Sequence, residues 1–530
     1  MTCTFGTPLS TLAPPPDRFM HFADWIVLGL YVAAIVAIGV WANRRQTDTE
    51  AYFVGNRSVR WWAAGLSIIA TSFSAASILG VPGYAYSTDM WYLQYSLGDI
   101  FAAIIVAVLF IPFFHKVKGL TTAYEYLEAR FDLKSRLLGS SLFALTVLLR
   151  AGSLLYGAAL LFSAVVPTDL MPGFNGVEEA VIIFGVIAIV YTVMGGISAV
   201  IWTDVIQFSI MSIGIFASMW VVVAGTPGGW EAAFSEAAQF GKLDVVHTED
   251  LTAGTGLLTA IFGYGLLALS LFGTNQQPVQ RYMTVSEPKE AQRALLLGVG
   301  AGAFGVLLSL LLGVFLFIFY QHYPALLPSG LTPDQLMPHF VNTQVPPVLT
   351  GALVAAVFAA AMSSLDSALN SLAATLTVDF LARFKPGIPE QRRLTFAKAV
   401  VITAGVIGIA VGIYASRTGA PLIDLILAFM GYFAGGLLGL FLLGMLTKRA
   451  NGHGAFTGAI VGTLVVLMVT ENDFGLPRLY ETFGFAPIPF IWSTAVGLAV
   501  TALVGYLISL MGHRVPPERL EDTTARWTIA

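Results

Sequence analysis

Ser363, Asp366, Ser367 and Asn370 recur at i, i+3, i+4 and i+7 inside an apolar segment running from about Val348 to Phe380. In a helix that spacing lines their oxygens along one face. A carboxylate at such a depth in a bilayer is costly unless something pairs with it, which makes Asp366 a candidate functional residue. Hydroxyls and a carboxylate offer hard oxygen ligands and no nitrogen or sulfur, a donor set for a hard cation such as Na⁺ rather than a transition metal. Small residues also let membrane helices approach closely. Packing accounts for the serines and alanines of Ala359 to Ser371 but not for Asp366.

Other residues share this character. The second apolar run opens at Trp61 and breaks pattern at Ala70-Thr-Ser-Phe-Ser-Ala-Ala-Ser77, followed by Gly80, Pro82 and Gly83. Clustered hydroxyls beside Gly and Pro describe a membrane helix that unwinds locally and offers carbonyls to a cation; the other reading is a kinked helix whose hydroxyls bond back to their own carbonyls. A second break lies at Gly273-Thr-Asn-Gln-Gln-Pro278. Two interrupted helices about five spans apart point to inverted repeats around a midplane binding site. Arg150 is the one basic residue placed inside a span, and a guanidinium suits a carboxylate bound through two hydrogen bonds. Asp99, in the third span at a similar depth, is an internal alternative partner for it. Asp204, within Trp202 to Gln207, reads as the cap of a helix start. Gln94, Asn275, Gln276 and Gln277 are polar groups able to contact solute or serve a gate.

These residues require a membrane scaffold. Of 530 residues, 56% are hydrophobic and 11% charged, and the mean hydropathy is +0.78. Counting apolar runs near bilayer length gives about thirteen spans, beginning near Trp25, Trp61, Met90, Leu137, Ala180, Ile197, Gly256, Leu295, Val348, Ala397, Leu422, Ala455 and Ile491. With the N-terminus outside and the C-terminus inside, most of the 27 Lys and Arg fall in inner loops, among them Arg44, Arg45, Arg57, Lys116, Lys118, Arg130, Arg136, Arg281, Arg383, Lys448 and Arg526, against Arg18, Lys242, Arg417 and Arg478 outside. This bias is the positive-inside pattern. The expected layout is an extracellular segment 1–23, a membrane domain 24–511 with its core at about 61–450, and a cytoplasmic tail 512–530. A short interfacial helix with an N-capping Thr is expected within Thr121 to Asp132, and Ser286 and Glu287 before Pro288 open another. Cys3 is the sole cysteine, so neither an intrachain disulfide nor a thiolate metal site is expected. No phosphate-binding Gly-x-x-x-x-Gly-Lys-Ser/Thr sequence or basic run supports ATP-driven pumping or nucleic-acid binding.

From Ala51-Tyr-Phe53 through Lys448-Arg449 the chain resembles the sodium/solute symporter family, which includes bacterial sodium/galactose, sodium/proline and sodium/sialic acid transporters. The most specific parts are Trp202 to Gln207, Val279-Gln-Arg-Tyr282 and Ala359 to Ser371. The resemblance implies an all-α polytopic membrane protein with a leucine-transporter-type inverted-repeat core in the second to eleventh spans, one peripheral helix before it and two after. It implies a main sodium site at the carbonyls of Ala70, Phe73 and Ala360 with the hydroxyls of Ser363 and Ser364, and a second at Asp204, Ser363, Asp366 and Ser367. It places Ser72, Ser74, Ser77, Tyr92, Ser96, Arg150, Asn275 and Gln277 around the solute. The sequence departs from the sialic acid branch at Asp366, a serine there, and at Ser96 and Ala268, which replace amides. The expected function is sodium-coupled import of a small hydrophilic solute by alternating access across a bacterial-type inner membrane, with no enzymatic activity, nucleic acid or obligatory protein partner. An acidic solute leads; neutral sugars, polyols, amino acids or a sodium-dependent sensor of the same fold are the alternatives.

Overall fold

The computed structural model describes residues 20–43, 49–117, 119–166, 170–248, 254–418, 422–471, 477–521 and 523–525. Most of the expected extracellular segment, the end of the tail, and Arg18, Arg44, Arg45, Lys118 and Arg526 of the charge pattern lie outside the described residues.

Backbone N–H and C=O groups have no water to bond within hydrocarbon, so the apolar runs satisfy them as helices. In chain order these are α1 (Phe22–Asn43), α2 (Trp61–Ser72), α3 (Ala75–Ser87), α4 (Trp91–Lys116), α5 (Leu133–Val165), α6 (Gly176–Gly195), α7 (Ile197–Gly225) and α8 (Thr259–Thr274). They continue with α9 (Gln276–Met283), α10 (Pro288–His322), α11 (Leu349–Ala382), α12 (Glu390–Thr418), α13 (Leu422–Leu446), α14 (Gly452–Val469) and α15 (Phe490–Met511). Among the described residues, nine helices are long and apolar enough to cross a bilayer, and α2 with α3 forms a tenth span bent by 57°. Gly196, at φ 83°, separates α6 from α7 in a conformation that favours glycine.

Two breaks govern the site. Between α2 and α3, Phe73 (φ −84°, ψ 94°) and Ser74 (φ −100°, ψ −179°) are extended, so the helical ladder stops there. Between α8 and α9, Asn275 is extended and its side chain accepts from the Gln277 amide at 2.9 Å, capping α9. Helix α11 is the most enclosed span and packs against α5, α7 and α12, while α2 packs against α7 and α10. Asp24 fastens the N-terminal end of α11, its Oδ1 accepting from the amides of Val348 (2.6 Å) and Gly351 (2.9 Å). Helices α13, α14 and α15 pack together at one side.

The interfacial segment differs from expectation. The helix covers Glu125–Arg130, its N-cap is Tyr124, and no threonine hydroxyl caps it. Instead the Glu125 carboxylate accepts from the amides of Thr121 (2.6 Å) and Thr122 (2.9 Å). The carboxylate closes the turn that leads into the helix, and its charge at the first helical position complements the helix dipole. Burial raises the Glu128 carboxyl, but hydrogen bonds from Arg383 and Arg136 outweigh it and hold the group below the usual carboxylate range. Arg136 also reaches Asp379 near the C-terminal end of α11, tying this segment to the core.

Helix α3 meets α10 backbone to backbone. A Cβ added at Gly313 would overlap the Pro82 carbonyl oxygen. Gly313→Ala is therefore expected to lower stability by about 1–3 kcal/mol, as overpacked cores do; an unchanged unfolding temperature in detergent would show that α10 yields freely.

Candidate functional site

The oxygens of the α2 break and the α11 stripe meet. Ser363 Oγ donates to the carbonyls of Ala70 (2.8 Å) and Ala360 (3.0 Å), and Ser364 Oγ donates to the Thr71 carbonyl (2.9 Å). All four residues bearing these oxygens on Ala70, Ala360, Ser363 and Ser364 are buried. Phe73, the fifth expected ligand, follows in the break itself, its ring beside Gly305. At the end of α2 the Ala70 and Thr71 carbonyls have left the ladder and offer partial negative charge, and Ser363 and Ser364 reach them with rotatable hydroxyls. Rotation of those two O–H groups would leave an all-oxygen cradle suited to a hard monovalent cation.

The second expected set, Asp204, Ser363, Asp366 and Ser367, is arranged differently. Asp204 lies beyond the first turn of α7, so it is not a helix cap. Its Oδ2 accepts from Ser67 Oγ (2.5 Å) and from Arg281 Nη2 (2.9 Å). The same Arg281 Nη2 donates to Ser367 Oγ (2.5 Å), Nε donates to Ser67 Oγ (2.6 Å) and Nη1 to the Gln277 carbonyl (2.8 Å). A guanidinium thus joins two of the four expected ion ligands. Asp366 Oδ1 accepts instead from Thr192 on α6 (2.6 Å), and Ser363 turns to Ala70. Asn370, the last residue of the stripe, accepts from Gln280.

The charge count placed Arg281 in an inner loop; the structure buries it completely. The positive-inside pattern reads position along the chain, and it cannot see that the α8 to α9 break returns this residue to the core. Ser67 and Thr192 also escaped the sequence reading, because single hydroxyls in apolar helices carry no periodic signal.

Beside the break lies a partly open cavity. Six of the expected solute residues line it: Ser72, Ser74, Ser77, Tyr92, Ser96 and Arg150. Asn275 and Gln277 do not. Asn275 caps α9, and Gln277 Oε1 accepts from Arg150 Nη1 at 3.0 Å, orienting the guanidinium from behind. Arg150 Nη2 donates to the Thr71 carbonyl at 3.4 Å, while its buried Nε has no partner. Among the described residues Arg150 forms no ion pair, so the alternative of neutralisation by Asp99 is not realised. Asp99 faces the same cavity and accepts from the Tyr264 hydroxyl. An aromatic wall of Tyr92, Tyr95 and Tyr264 closes that side, with Tyr95 and Tyr264 stacked at 4.6 Å.

Gln94 donates to the Thr255 carbonyl (2.9 Å), so it fastens the loop before α8. Lys242 donates to the carbonyls of Tyr86 (2.7 Å) and Thr88 (2.5 Å) at the end of α3. Burial lowers its ammonium below the ordinary lysine value, with Asp89 opposing the shift.

Comparison with known proteins agrees with this arrangement. The sodium/sialic acid symporter SiaT of Proteus mirabilis is 34% identical over 455 residues, covering 84% of this chain and 89% of its own. The sodium/sialic acid symporter NanT of Aliivibrio fischeri is 31% identical over 495 residues, covering 92% and 93%. A solved structure of a Na⁺-coupled sialic acid symporter in a substrate-bound outward-open state superposes with a TM-score of 0.80 at 31% identity, covering 93% of this chain and 99% of that one. The fold is accordingly the leucine-transporter type, and these relatives are transporters. The family model described as the sodium:solute symporter family matches residues 52–462, and the chain belongs to that family as a multi-pass, sodium-coupled membrane symporter.

Proposed function

We propose that this symporter imports a small acidic organic solute, a sugar acid or another carboxylate, across a bacterial inner membrane. The observation that carries the reading is Arg150, a buried guanidinium in the cavity with no carboxylate partner among the described residues and an unpartnered Nε. A charge held so deep is compensated when solute brings the anion, and the planar fork of arginine matches a carboxylate through paired hydrogen bonds. The sialic acid symporters among its relatives support an acidic sugar as the leading class.

The ion that drives uptake is assigned to the cradle of Ala70, Phe73, Ala360, Ser363 and Ser364. It bridges the broken α2 to α11 and thereby couples the two repeats. Sodium binding there favours the outward-facing form, solute binds beside it, and rocking of the repeats exposes both inward, where low sodium releases them. At 100 mV each entering sodium contributes about 2.3 kcal/mol from the potential alone. A second ion at Asp204, Ser363, Asp366 and Ser367 requires Arg281 to withdraw from Ser367. The N-terminus is assigned to the outside and the C-terminus to the inside, with transport carried by residues 24–511 and no catalytic chemistry.

The test is ligand-induced stabilisation of the purified protein by sugar acids, monocarboxylates, neutral sugars and amino acids, each in sodium and in potassium. A carboxylate that stabilises only in sodium supports the proposal; stabilisation indifferent to sodium would undo the ion assignment. Ser363→Ala and Ser364→Ala each remove one hydroxyl ligand, and the half-saturating sodium concentration is expected to rise about tenfold or more. Unaltered sodium dependence in both would move the ion elsewhere.

A further inference from the structure

We infer that the cavity contains a second recognition point, the Asp99 carboxylate held by the Tyr264 hydroxyl, which takes a protonated amine, so that the imported acid is a zwitterion such as an amino-bearing sugar acid or an amino acid. The inference rests on the reading of Arg150 as the carboxylate anchor. Asp99 stands on α4 and Tyr264 on α8, and both line the same cavity as Arg150 on α5. The two opposite charges are kept apart although they share that space. Arg150 is held by Gln277 Oε1 and the Thr71 carbonyl, and Asp99 by Tyr264. The Tyr264 ring is in turn fixed by stacking on Tyr95 with 4° between the planes.

Among the described residues, no Lys, Arg or His forms an ion pair with Asp99. It is half-buried, and the cavity is the polar space it faces. A solute carrying a carboxylate alone would satisfy Arg150 but bring a second negative charge into the cavity with Asp99, where low polarity strengthens repulsion. A hydroxyl would supply a hydrogen bond without compensating the charge. A solute bearing both a carboxylate and an ammonium group pairs each fixed charge with its opposite. Because the side chains are already held apart, little ordering is needed when such a solute arrives, which favours affinity.

The test compares matched solutes with purified protein in sodium: D-glucosaminate against D-gluconate and N-acetyl-D-glucosaminate, and L-alanine against L-lactate, each by binding affinity. In the wild type the free-amine acid of at least one series is expected to bind about tenfold tighter than its hydroxy or acetylated counterpart, as a charge-assisted bond outmatches a neutral one. Asp99→Asn, close to isosteric, is expected to erase that preference by lowering affinity for the free-amine acid about tenfold, while affinity for the hydroxy acid rises as the repulsion is removed. Equal affinities in the wild type, a preference that survives Asp99→Asn, or failure of every free-amine acid to bind would each overturn the inference. Binding of carboxylates without regard to the amine would leave the acidic-solute reading standing. Binding confined to solutes that lack a carboxylate would remove both.

Discussion

Arg150→Ala is expected to weaken solute binding by at least about thirtyfold while sodium still stabilises the protein. The guanidinium is buried, lines the cavity and has no carboxylate partner among the described residues, so its strongest available interaction is with solute. A desolvated charge pair with paired hydrogen bonds contributes about 2–5 kcal/mol when one partner is truncated, corresponding to a loss between roughly thirtyfold and several thousandfold in affinity. Arg150→Lys keeps the charge but not the planar fork, and it should recover only part of the affinity. The oxygens to which sodium is assigned lie on Ala70, Phe73, Ala360, Ser363 and Ser364, so sodium-dependent stabilisation is expected to persist in both variants. Solute affinity within twofold of wild type in Arg150→Ala would remove the residue from the solute site. Loss of sodium stabilisation as well would mean that the substitution had disturbed the α2 break, where Arg150 meets the Thr71 carbonyl.

The second large effect is structural. Arg281→Ala is expected to destabilise the protein by about 3–5 kcal/mol, because a buried ion pair broken on one side leaves an uncompensated charge. Asp204 would lose its cation, and Ser67, Ser367 and the Gln277 carbonyl would lose a donor. Both members of the pair are completely buried, which leaves no water to take over. Asp204→Asn with Arg281→Gln removes both charges together and should be less damaging than Arg281→Ala alone. Thermal unfolding of Arg281→Gln, Asp204→Asn and the double variant forms a cycle that reads the coupling directly. Additive losses would show that Arg281 and Asp204 do not act as a pair. Sodium binding in Arg281→Ala offers a further reading, since the guanidinium occupies the approach between Asp204 and Ser367.

Local patterning brings out most of the oxygens in the proposed ion cradle. Ser363 and Ser364 sit in a helical register that any continuous apolar segment imposes, and the hydroxyl cluster at Ala70 to Ser77 announced the break that faces them. Arg150 stood out because a basic residue in an apolar run needs a reason. Asn275 and Gln277 were harder to read: both are polar and adjacent to a break, yet one caps a helix and the other orients Arg150 without lining the cavity. A residue type near a site says that a hydrogen bond will be made, but the partner depends on which helix arrives opposite.

Hydrophobicity, the placement of charge and the two helix interruptions therefore determined the membrane class, the broken spans and the oxygen-rich stripe. These follow from interactions between neighbours in the chain and between the chain and the bilayer. Only the tertiary structure decided that Arg281 pairs with Asp204, that Asp366 turns to Thr192, and that Arg150 and Asp99 face one cavity without meeting. Each of those outcomes joins residues far apart in sequence. Inside the membrane, where an unpaired charge is costly, the helix that packs opposite selects the partner.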